Sequence, residues 1–286
     1  MTPALDIRPS PIAGQWYSAD PRRLAESVDA YIRLAGSISI EGEILAVMAP
    51  HAGHRYSGPV AGHAFAVLQN LKPELVAVIS PMHYFYPEPL LTSAHQAYST
   101  PLGSIAVDRQ AIEALEAQLQ VLLGHGLAPV KNDPEHSLEI ELPFLQRALR
   151  SEFRLLPVMV REVSPRLTCL LGKALATVLS GRQAVMVAST DLSHFYPQDV
   201  ARNLDGEILR HVEAFDPAGL LKAEDEGKGF ACGRGALAAV MWAAQELGAN
   251  RARVLNYATS GDVTGDHSQV VGYAAAVFYA EPSANR

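Results

Sequence analysis

The stretch that decides the fold is the apolar run Ile44–Ala49 together with the segment that follows it, Pro50-His51-Ala52-Gly53-His54-Arg55-Tyr56-Ser57-Gly58. The run has the composition and length of a buried strand, and it ends at Pro50 because proline cannot extend the hydrogen-bond ladder. The two glycines allow a sharp turn, and Ser57 is expected to cap the helix that follows. His51 is therefore predicted to lie at the carboxyl end of a buried strand, where open α/β sheets bind their ligands.

Two further strands are predicted to end beside a histidine. The run Leu75–Ser80 (LVAVIS) is followed by His83. The run Ala184–Thr190 (AVMVAST) is followed by His194. Because parallel strands end at the same edge of a sheet, we expect the three imidazoles to converge there, and neutral imidazoles bind borderline metals well. The sequence thus predicts a metal site, although the spacing matches no compact zinc signature.

Segments of helical and strand-like pattern alternate along the chain. The predicted helices are Leu24–Leu34, Pro59–Leu71, Asp108–Gln120 with Asp108 as its cap, a helix opened by Asn132-Asp133-Pro134 and kinked at Pro143, Ser164–Ser180, Gln198–Glu213, Pro217–Glu226 and Cys232–Leu247. The predicted strands are the three runs above, irregular pieces within Leu90–Val107, then Phe153–Val160, Val254–Thr259 and Val270–Tyr279. Continuous apolar strands separated by helices predict a three-layer α/β/α sandwich with a largely parallel sheet.

The composition describes one ordinary globular domain. No linker, repeat or low-complexity tract divides the 286 residues, so we predict a single domain, Met1–Arg286, with residues 1–20 as an arm packed on it. The chain is 49% hydrophobic and 19% charged, and its apolar runs are too short to span a membrane. A formal charge of -7 argues against a nucleic-acid partner. The N-terminus lacks a signal-peptide pattern, so a cytoplasmic location is expected.

The two cysteines of the chain call for different interpretations, because two thiols cannot form a disulfide framework. Cys232, in Gly229-Phe230-Ala231-Cys232-Gly233, is predicted at or just before a helix N-terminus, which favours the thiolate form that binds metal or attacks electrophiles. A small buried residue at a tight turn is the alternative. Cys169 lies mid-helix among leucines and is expected to pack in the core.

Several other side chains are candidates for the site, each with a structural alternative. Trp16 is expected to pack on the body or to line the mouth of the site. His54 is interpreted as a ligand, a hydrogen-bond donor or a wall residue. His136, beside Glu135 and Glu139, is interpreted either as part of a network that supports a ligand or as a helix-start cap.

Asp191 is expected either to orient His194 or to tie down the loop that carries it. His267 lies in a polar loop near the predicted site. The remaining histidines are expected to be structural or surface residues: His63, His95, His125 and His211.

With these residues assembled, the chain resembles the Memo family, whose bacterial members are often labelled AmmeMemoRadiSam system protein B. The resemblance runs nearly end to end. Its motifs are Gly14-Gln15-Trp16-Tyr17, Pro50-His51-Ala52-Gly53 with Tyr56-Ser57-Gly58, Pro81-Met82-His83, Glu135-His136-Ser137-Leu138-Glu139 with Leu142-Pro143-Phe144, Ser189-Thr190-Asp191-Leu192-Ser193-His194, Ala231-Cys232-Gly233, Thr259-Ser260-Gly261-Asp262 and Val271-Gly272-Tyr273-Ala274-Ala275.

The resemblance implies a fold like that of the class III extradiol dioxygenases and a pocket in which a cysteine replaces the metal-binding carboxylate. The implied metal ligands are His51, His83 and Cys232, and His194 matches the acid/base histidine of the dioxygenases. The chain departs from the family at His54, where an aromatic residue is usual, and after His83, where a second histidine is common. The other residues expected to line or support the pocket are His54, Tyr56, Trp16, His136, Glu139 and Asp262.

Two classes of function follow from this resemblance. The first is a metal-dependent redox enzyme that uses iron(II) or copper, with zinc as the ion of a hydrolytic variant; His194 would move protons and Asp191 would orient it. The second is a non-catalytic protein that binds a peptide, a phosphopeptide or a small anion in the same pocket. The resemblance also suggests a functional link to a radical-SAM protein, and it implies a small-molecule or peptide ligand.

Overall fold

A computed structural model describes residues 6–149 and 151–282, and within them the chain forms strands and helices in alternation. The strands are β1 (Ile7–Arg8), β2 (Glu43–Ala49), β3 (Leu75–Pro81), β4 (Leu90–Ser93), β5 (Ala97–Thr100), β6 (Gly103–Ala106), β7 (Ala128–Val130), β8 (Arg154–Val160), β9 (Ala184–Ser189), β10 (His194–Tyr196), β11 (Arg251–Thr259) and β12 (Val270–Ala280). The α-helices are α1 (Pro21–Leu34), α2 (His54–Ala66), α3 (Arg109–Leu123), α4 (Leu142–Ala148), α5 (Pro165–Leu179), α6 (Gln198–Glu213), α7 (Pro217–Asp225), α8 (Arg234–Glu246) and α9 (Ser260–Thr264). A 3₁₀ helix, Glu139–Glu141, precedes α4.

The main sheet is parallel at its centre and mixed at its sides. Its order is β10-β12-β2-β9-β3-β8-β4-β7, and β11 pairs with β12. Strands β2, β9, β3 and β8 are parallel to one another, whereas β12 is antiparallel to β2, β10 and β11, and β4 is antiparallel to β8. The predicted α/β fold is confirmed: the four central strands are parallel, and at the edge β7 is parallel to β4. A smaller sheet of order β1-β5-β6 carries the N-terminal strand.

Helices cover the main sheet in two groups. Helices α1, α2 and α4 pack together, and α2 contacts β2 and β12; helices α3, α5 and α8 pack together, and α8 contacts β3 and β9. Every residue of β3 is buried, which requires cover on both faces of the sheet. Helices α1 and α2 approach closely because Gly62 has no side chain: a Cβ there would lie 2.2 Å from the carbonyl oxygen of Tyr31. No helix in residues 6–149 and 151–282 is long and apolar enough to cross a membrane.

Three local predictions were wrong. No helix begins at Asn132-Asp133-Pro134; the chain stays irregular up to the 3₁₀ helix, and the Glu135 carboxylate accepts the backbone N–H groups that a helix would have used. Pro143 occupies the first turn of α4 and causes no kink. Ser57 lies inside α2, which has Gly53 as its N-cap, and donates to the carbonyl of Ala52.

Candidate metal centre

The parallel centre of the sheet brings the predicted histidines together. His51 follows β2 and His83 follows β3, and these strands flank β9, so their carboxyl ends share one edge. A third imidazole joins them from the loop before the 3₁₀ helix, that of His136. One ligand nitrogen from each of the three rings lies within 4.8 Å of the others. The cluster has the donor type and the proximity that a divalent metal ion requires.

Glu135 orients the ring of His83 and holds the backbone of His136. Its carboxylate accepts the backbone N–H of His83 at 2.6 Å, the ring Nδ1–H of His83 at 2.9 Å and the backbone N–H groups of His136 and Ser137, each at 2.9 Å. Burial disfavours the charged carboxylate, but hydrogen bonding from His83 and the nearby imidazoles outweigh burial and hold the pKa of Glu135 well below its ordinary value. Because Nδ1 of His83 is committed to this carboxylate, its Nε2 is left for a ligand, as in many carboxylate–histidine–metal sites.

His51 is held from both sides. Its backbone N–H donates to the Asp191 carboxylate at 2.7 Å, and its ring Nδ1 lies 3.0 Å from the hydroxyl of Ser189. Its Nε2 lies 3.1 Å from Sγ of Cys232. The His51 ring is 2% exposed, so its orientation is fixed by packing as well as by these hydrogen bonds.

Two of the three imidazoles, those of His51 and His136, favour the neutral form that binds metal. Burial, reinforced by the neighbouring His136 and His83, holds the pKa of His51 well below its ordinary value. Burial likewise lowers the pKa of His136 to about 4. At neutral pH the lone pairs of these two rings are therefore available without loss of a proton, so the donor set fits a borderline divalent cation.

Cys232 precedes α8, as predicted, but its thiol is not activated by the helix. It lies two residues before Arg234, the first residue of α8, and its Sγ accepts the backbone N–H of Asp191 at 3.3 Å. Burial, with the nearby Asp191 carboxylate, raises the pKa of the Cys232 thiol well above its ordinary value. The metal-free protein therefore holds a protonated thiol against His51, and the expectation of an intrinsically favoured thiolate was wrong because burial outweighs the helix N-terminus.

His194 lines the same cavity beside the cluster. Its Nδ1 lies 2.7 Å from the carbonyl oxygen of Leu192, which can only accept, so Nδ1 carries the proton and Nε2 is left unprotonated. Burial lowers the pKa of His194 and favours this neutral form.

The Asp191 carboxylate does not contact the His194 ring in the described structure; it accepts the backbone N–H groups of His51 and Ala52. Of the two predicted roles, Asp191 thus ties down a loop, and that loop carries His51 rather than His194.

The cluster opens into a cavity of about 660 Å³. Trp16, Tyr56, His194 and Asp191 line it, together with polar side chains that include Gln15 and Gln269. Among the residues that the structure describes, none of those lining the cavity is lysine or arginine. The volume suits a small molecule or one or two side chains of a peptide.

Trp16 combines the two roles that were considered for it. Its ring lies against His136, with 4.1 Å between ring centroids, and it also lines the cavity. The arm that carries Trp16 is fastened by Glu139, which accepts hydrogen bonds from Arg8 at 2.6 Å, Ser10 at 2.6 Å and Tyr17 at 2.7 Å. The hydrogen bonds that Glu139 accepts in the described structure thus anchor the N-terminal arm, and its partners come from a distant part of the chain.

Arg8 is the centre of this anchor. It is 1% exposed and donates to both carboxylate oxygens of Asp133, to Glu139 and to the backbone carbonyl of Glu135. Glu135 thus binds the arm through its backbone carbonyl, and through its carboxylate it orients the His83 ring and holds the backbone of His136. Sequence reasoning missed Arg8; an arginine in a short apolar-flanked segment gives no local sign of burial.

Two other predicted site residues lie outside the cavity lining. His54 packs against Tyr17 and Phe144 and donates from Nε2 to the carbonyl of Ile140 at 3.2 Å. Its buried Nδ1 has no partner among the residues that the structure describes. Asp262 forms a capping box with Thr259 at the start of α9. His54 is thus a wall residue behind the site, which is one of the roles considered for it. Asp262 is a helix cap, and neither side chain is among those that line the cavity.

Comparison with known proteins gives one consistent result. A family model described as "Memo-like protein" matches residues 8–277. A MEMO1 family protein of Methanopyrus kandleri is 36% identical over 93% of this chain and 97% of its own length. MEMO1 family proteins of Methanosarcina barkeri and Nitrosopumilus maritimus are 34% and 32% identical, each over 95% of this chain and 99% of their own length.

Proposed function

We propose that this chain, which belongs to the Memo family, is a metal-dependent redox protein that binds one iron or copper ion at the histidine cluster. The observation that carries the proposal is the convergence of His51, His83 and His136, whose ligand atoms lie within 4.8 Å of one another at the base of a cavity. Each ring is oriented by a hydrogen bond or by packing on the protein side. Such support is typical of metal ligands.

The proposed ligands are His51, His83 and Cys232, with His136 as a fourth. Cys232 follows from the family resemblance and is supported by the 3.1 Å contact between its Sγ and Nε2 of His51, since two ligands of one ion lie at about this separation. His136 is added on the basis of its place in the cluster. A thiolate with imidazoles suits copper, iron and zinc better than it suits magnesium or calcium.

A bound iron or copper ion would supply one-electron redox chemistry, whereas zinc would supply only Lewis acidity. The chain's own residues would do the rest. His194 presents an unprotonated Nε2, so it is suited to accept a proton from a ligand held in the cavity. Trp16 and Tyr56 offer aromatic surface for an organic ligand.

The lining of the cavity gives less support to an anion-binding function. Phosphate groups are normally bound by arginine, lysine or a helix N-terminus, and the described lining contains neither of these side chains. A phosphopeptide or small anion would therefore rely on the charge of a bound ion or on the N-terminus of α2, whose N-cap Gly53 lines the cavity. Peptide binding, and the link to a radical-SAM protein, stay predictions from the resemblance.

Voltammetry tests the redox proposal. Protein reconstituted separately with iron(II), copper(II) or zinc(II) is scanned beside the His51→Ala variant, with His125→Ala, a histidine outside the cluster, as the matched control. We expect a reversible metal couple in the wild type and in His125→Ala that His51→Ala lacks. A protein that binds only zinc would contradict the redox proposal and favour the hydrolytic variant.

A further inference from the structure

The hydroxyl of Ser189 lies between His51 and a carboxyl group that the proposed function does not use. Ser189 Oγ is 3.0 Å from Nδ1 of His51, 2.6 Å from the carbonyl oxygen of Ser137 and 2.7 Å from Oε1 of Glu141. Ser189, Ser137 and Glu141 are completely buried. The hydrogen bonds among these groups must therefore be completed by the protein's own protons.

Counting those protons selects one arrangement. A serine hydroxyl has one proton to donate and two lone pairs, and the Ser137 carbonyl can only accept. If Ser189 donates to Ser137, then the ring of His51 and the carboxyl of Glu141 must each donate to Ser189. If Ser189 instead donates to Glu141 or to His51, its contact with the Ser137 oxygen at 2.6 Å has no proton between the two oxygens.

We propose that Glu141 is a neutral carboxylic acid that positions His51 through Ser189. By donating to Ser189, the acid directs the serine proton to Ser137, so that toward His51 the serine hydroxyl can act only as an acceptor. Nδ1 of His51 then carries the ring proton, and Nε2 presents its lone pair toward Cys232 and the cavity. Glu141 and Ser189 are thus positioning residues for His51, as Glu135 is for His83.

The surroundings of Glu141 agree with a neutral acid. Its second oxygen, Oε2, is buried and has no hydrogen-bond partner within residues 6–149 and 151–282, which would be costly for an anion. No lysine or arginine forms a salt bridge with it among the described residues. Burial, with the nearby Asp191 carboxylate, raises the pKa of Glu141 well above its ordinary value. Glu135, by contrast, accepts four N–H donations and is an anion.

Infrared difference spectroscopy of metal-free protein tests the protonation state of Glu141. The wild-type spectrum minus that of Glu141→Gln at neutral pH should contain the carbonyl stretch of a protonated carboxyl group. Glutamine keeps the shape and can donate from its amide to Ser189, so this variant is expected to fold. A difference spectrum that shows a carboxylate pair of bands instead would overturn the proposal.

The ring proton of His51 provides the second readout, which a merely structural role would not move. Nitrogen-15 spectra of metal-free protein should show the Nδ1–H form in the wild type and in Glu141→Gln, and a mixture of forms in Ser189→Ala. An Nε2–H ring in the wild type would overturn the proposal, as would a Glu141→Gln variant with altered ring protonation.

Zinc affinity links the inference to the proposed function, on which this last step rests. Ser189→Ala should weaken Zn²⁺ binding about 10- to 100-fold, as is usual for groups that orient a metal ligand, and Glu141→Gln should leave it nearly unchanged. If Zn²⁺ binding is weakened equally in Ser189→Ala and Glu141→Gln, Glu141 acts as a carboxylate, which would contradict the proposed neutral acid. If wild-type protein binds no Zn²⁺, the proposed function fails, whereas the infrared and nitrogen-15 spectra still decide this inference.

Discussion

Metal binding should release about one proton more from the wild-type protein than from the Cys232→Ala variant. The Cys232 thiol is protonated in the metal-free protein because burial raises its pKa. Only the thiolate binds a metal ion, so coordination must expel that proton to solvent. His51 and His136 contribute no proton at neutral pH, because burial lowers the pKa of both rings. The difference of about one proton is therefore assigned to Cys232.

Calorimetric titration measures this difference. Zn²⁺, which is redox-inert, is titrated into each protein at neutral pH in several buffers that differ in ionisation enthalpy. The slope of the observed binding enthalpy against the buffer ionisation enthalpy gives the number of protons released. Cys169→Ala, which removes the other cysteine, is the matched control and should behave as the wild type. A wild type that binds Zn²⁺ and releases no more protons than Cys232→Ala would refute thiolate coordination and leave the three histidines as the ligand set.

Three further predictions concern the arm, the buried His54 and the helix contact. Arg8→Met should lower the free energy of unfolding by about 3–5 kcal/mol in urea titration, since it leaves the buried carboxylates of Asp133 and Glu139 without their arginine. Arg147→Met, which breaks the more exposed pair with Asp29, should lower it by no more than about 1 kcal/mol. Equal losses in the two variants would contradict the role of Arg8 as an anchor. Burial lowers the pKa of His54 to about 4, so below the ordinary histidine pKa the unfolded chain binds more protons than the folded one. Acidification from about pH 7 to pH 5 should therefore lower the free energy of unfolding by about 2 kcal/mol in the wild type but not in His54→Phe. The same pH dependence in both proteins would contradict a buried neutral ring. Gly62→Ala should markedly lower the melting temperature in a calorimetric scan, because its Cβ would lie 2.2 Å from the Tyr31 carbonyl oxygen, and an unchanged melting temperature would contradict this packing.

Sequence patterns predicted the parts of the fold that depend on local physics. Runs such as Leu75–Ser80 are too apolar and too rich in β-branched residues to be anything but buried strands. Once those strands are parallel, the residues that follow them must share one sheet edge. That is why His51 and His83 could be placed together before the structure was known.

The parts that the sequence could not predict depend on partners far away in the chain. Arg8 and Glu139 are separated by 131 positions and meet only in the folded protein. The cap-and-proline pattern at Asn132 favours a helix locally, but hydrogen bonds between Glu135 and His83 stabilise an irregular segment instead. The same segment delivers His136 to the cluster, and this position became visible only with the tertiary contacts. The protonation of Cys232 is likewise set by burial, which no local pattern reports.

The measurement that tests the central claim most directly is the metal content of protein purified without oxygen and without affinity-tag metals. Elemental mass spectrometry would compare the wild type with His51→Ala, Cys232→Ala and His136→Ala, with His125→Ala as the control. We expect near-stoichiometric iron or copper in the wild type and the control, and loss of the metal in His51→Ala and Cys232→Ala. A wild type that stays empty after reconstitution with iron, copper and zinc would contradict the metal site.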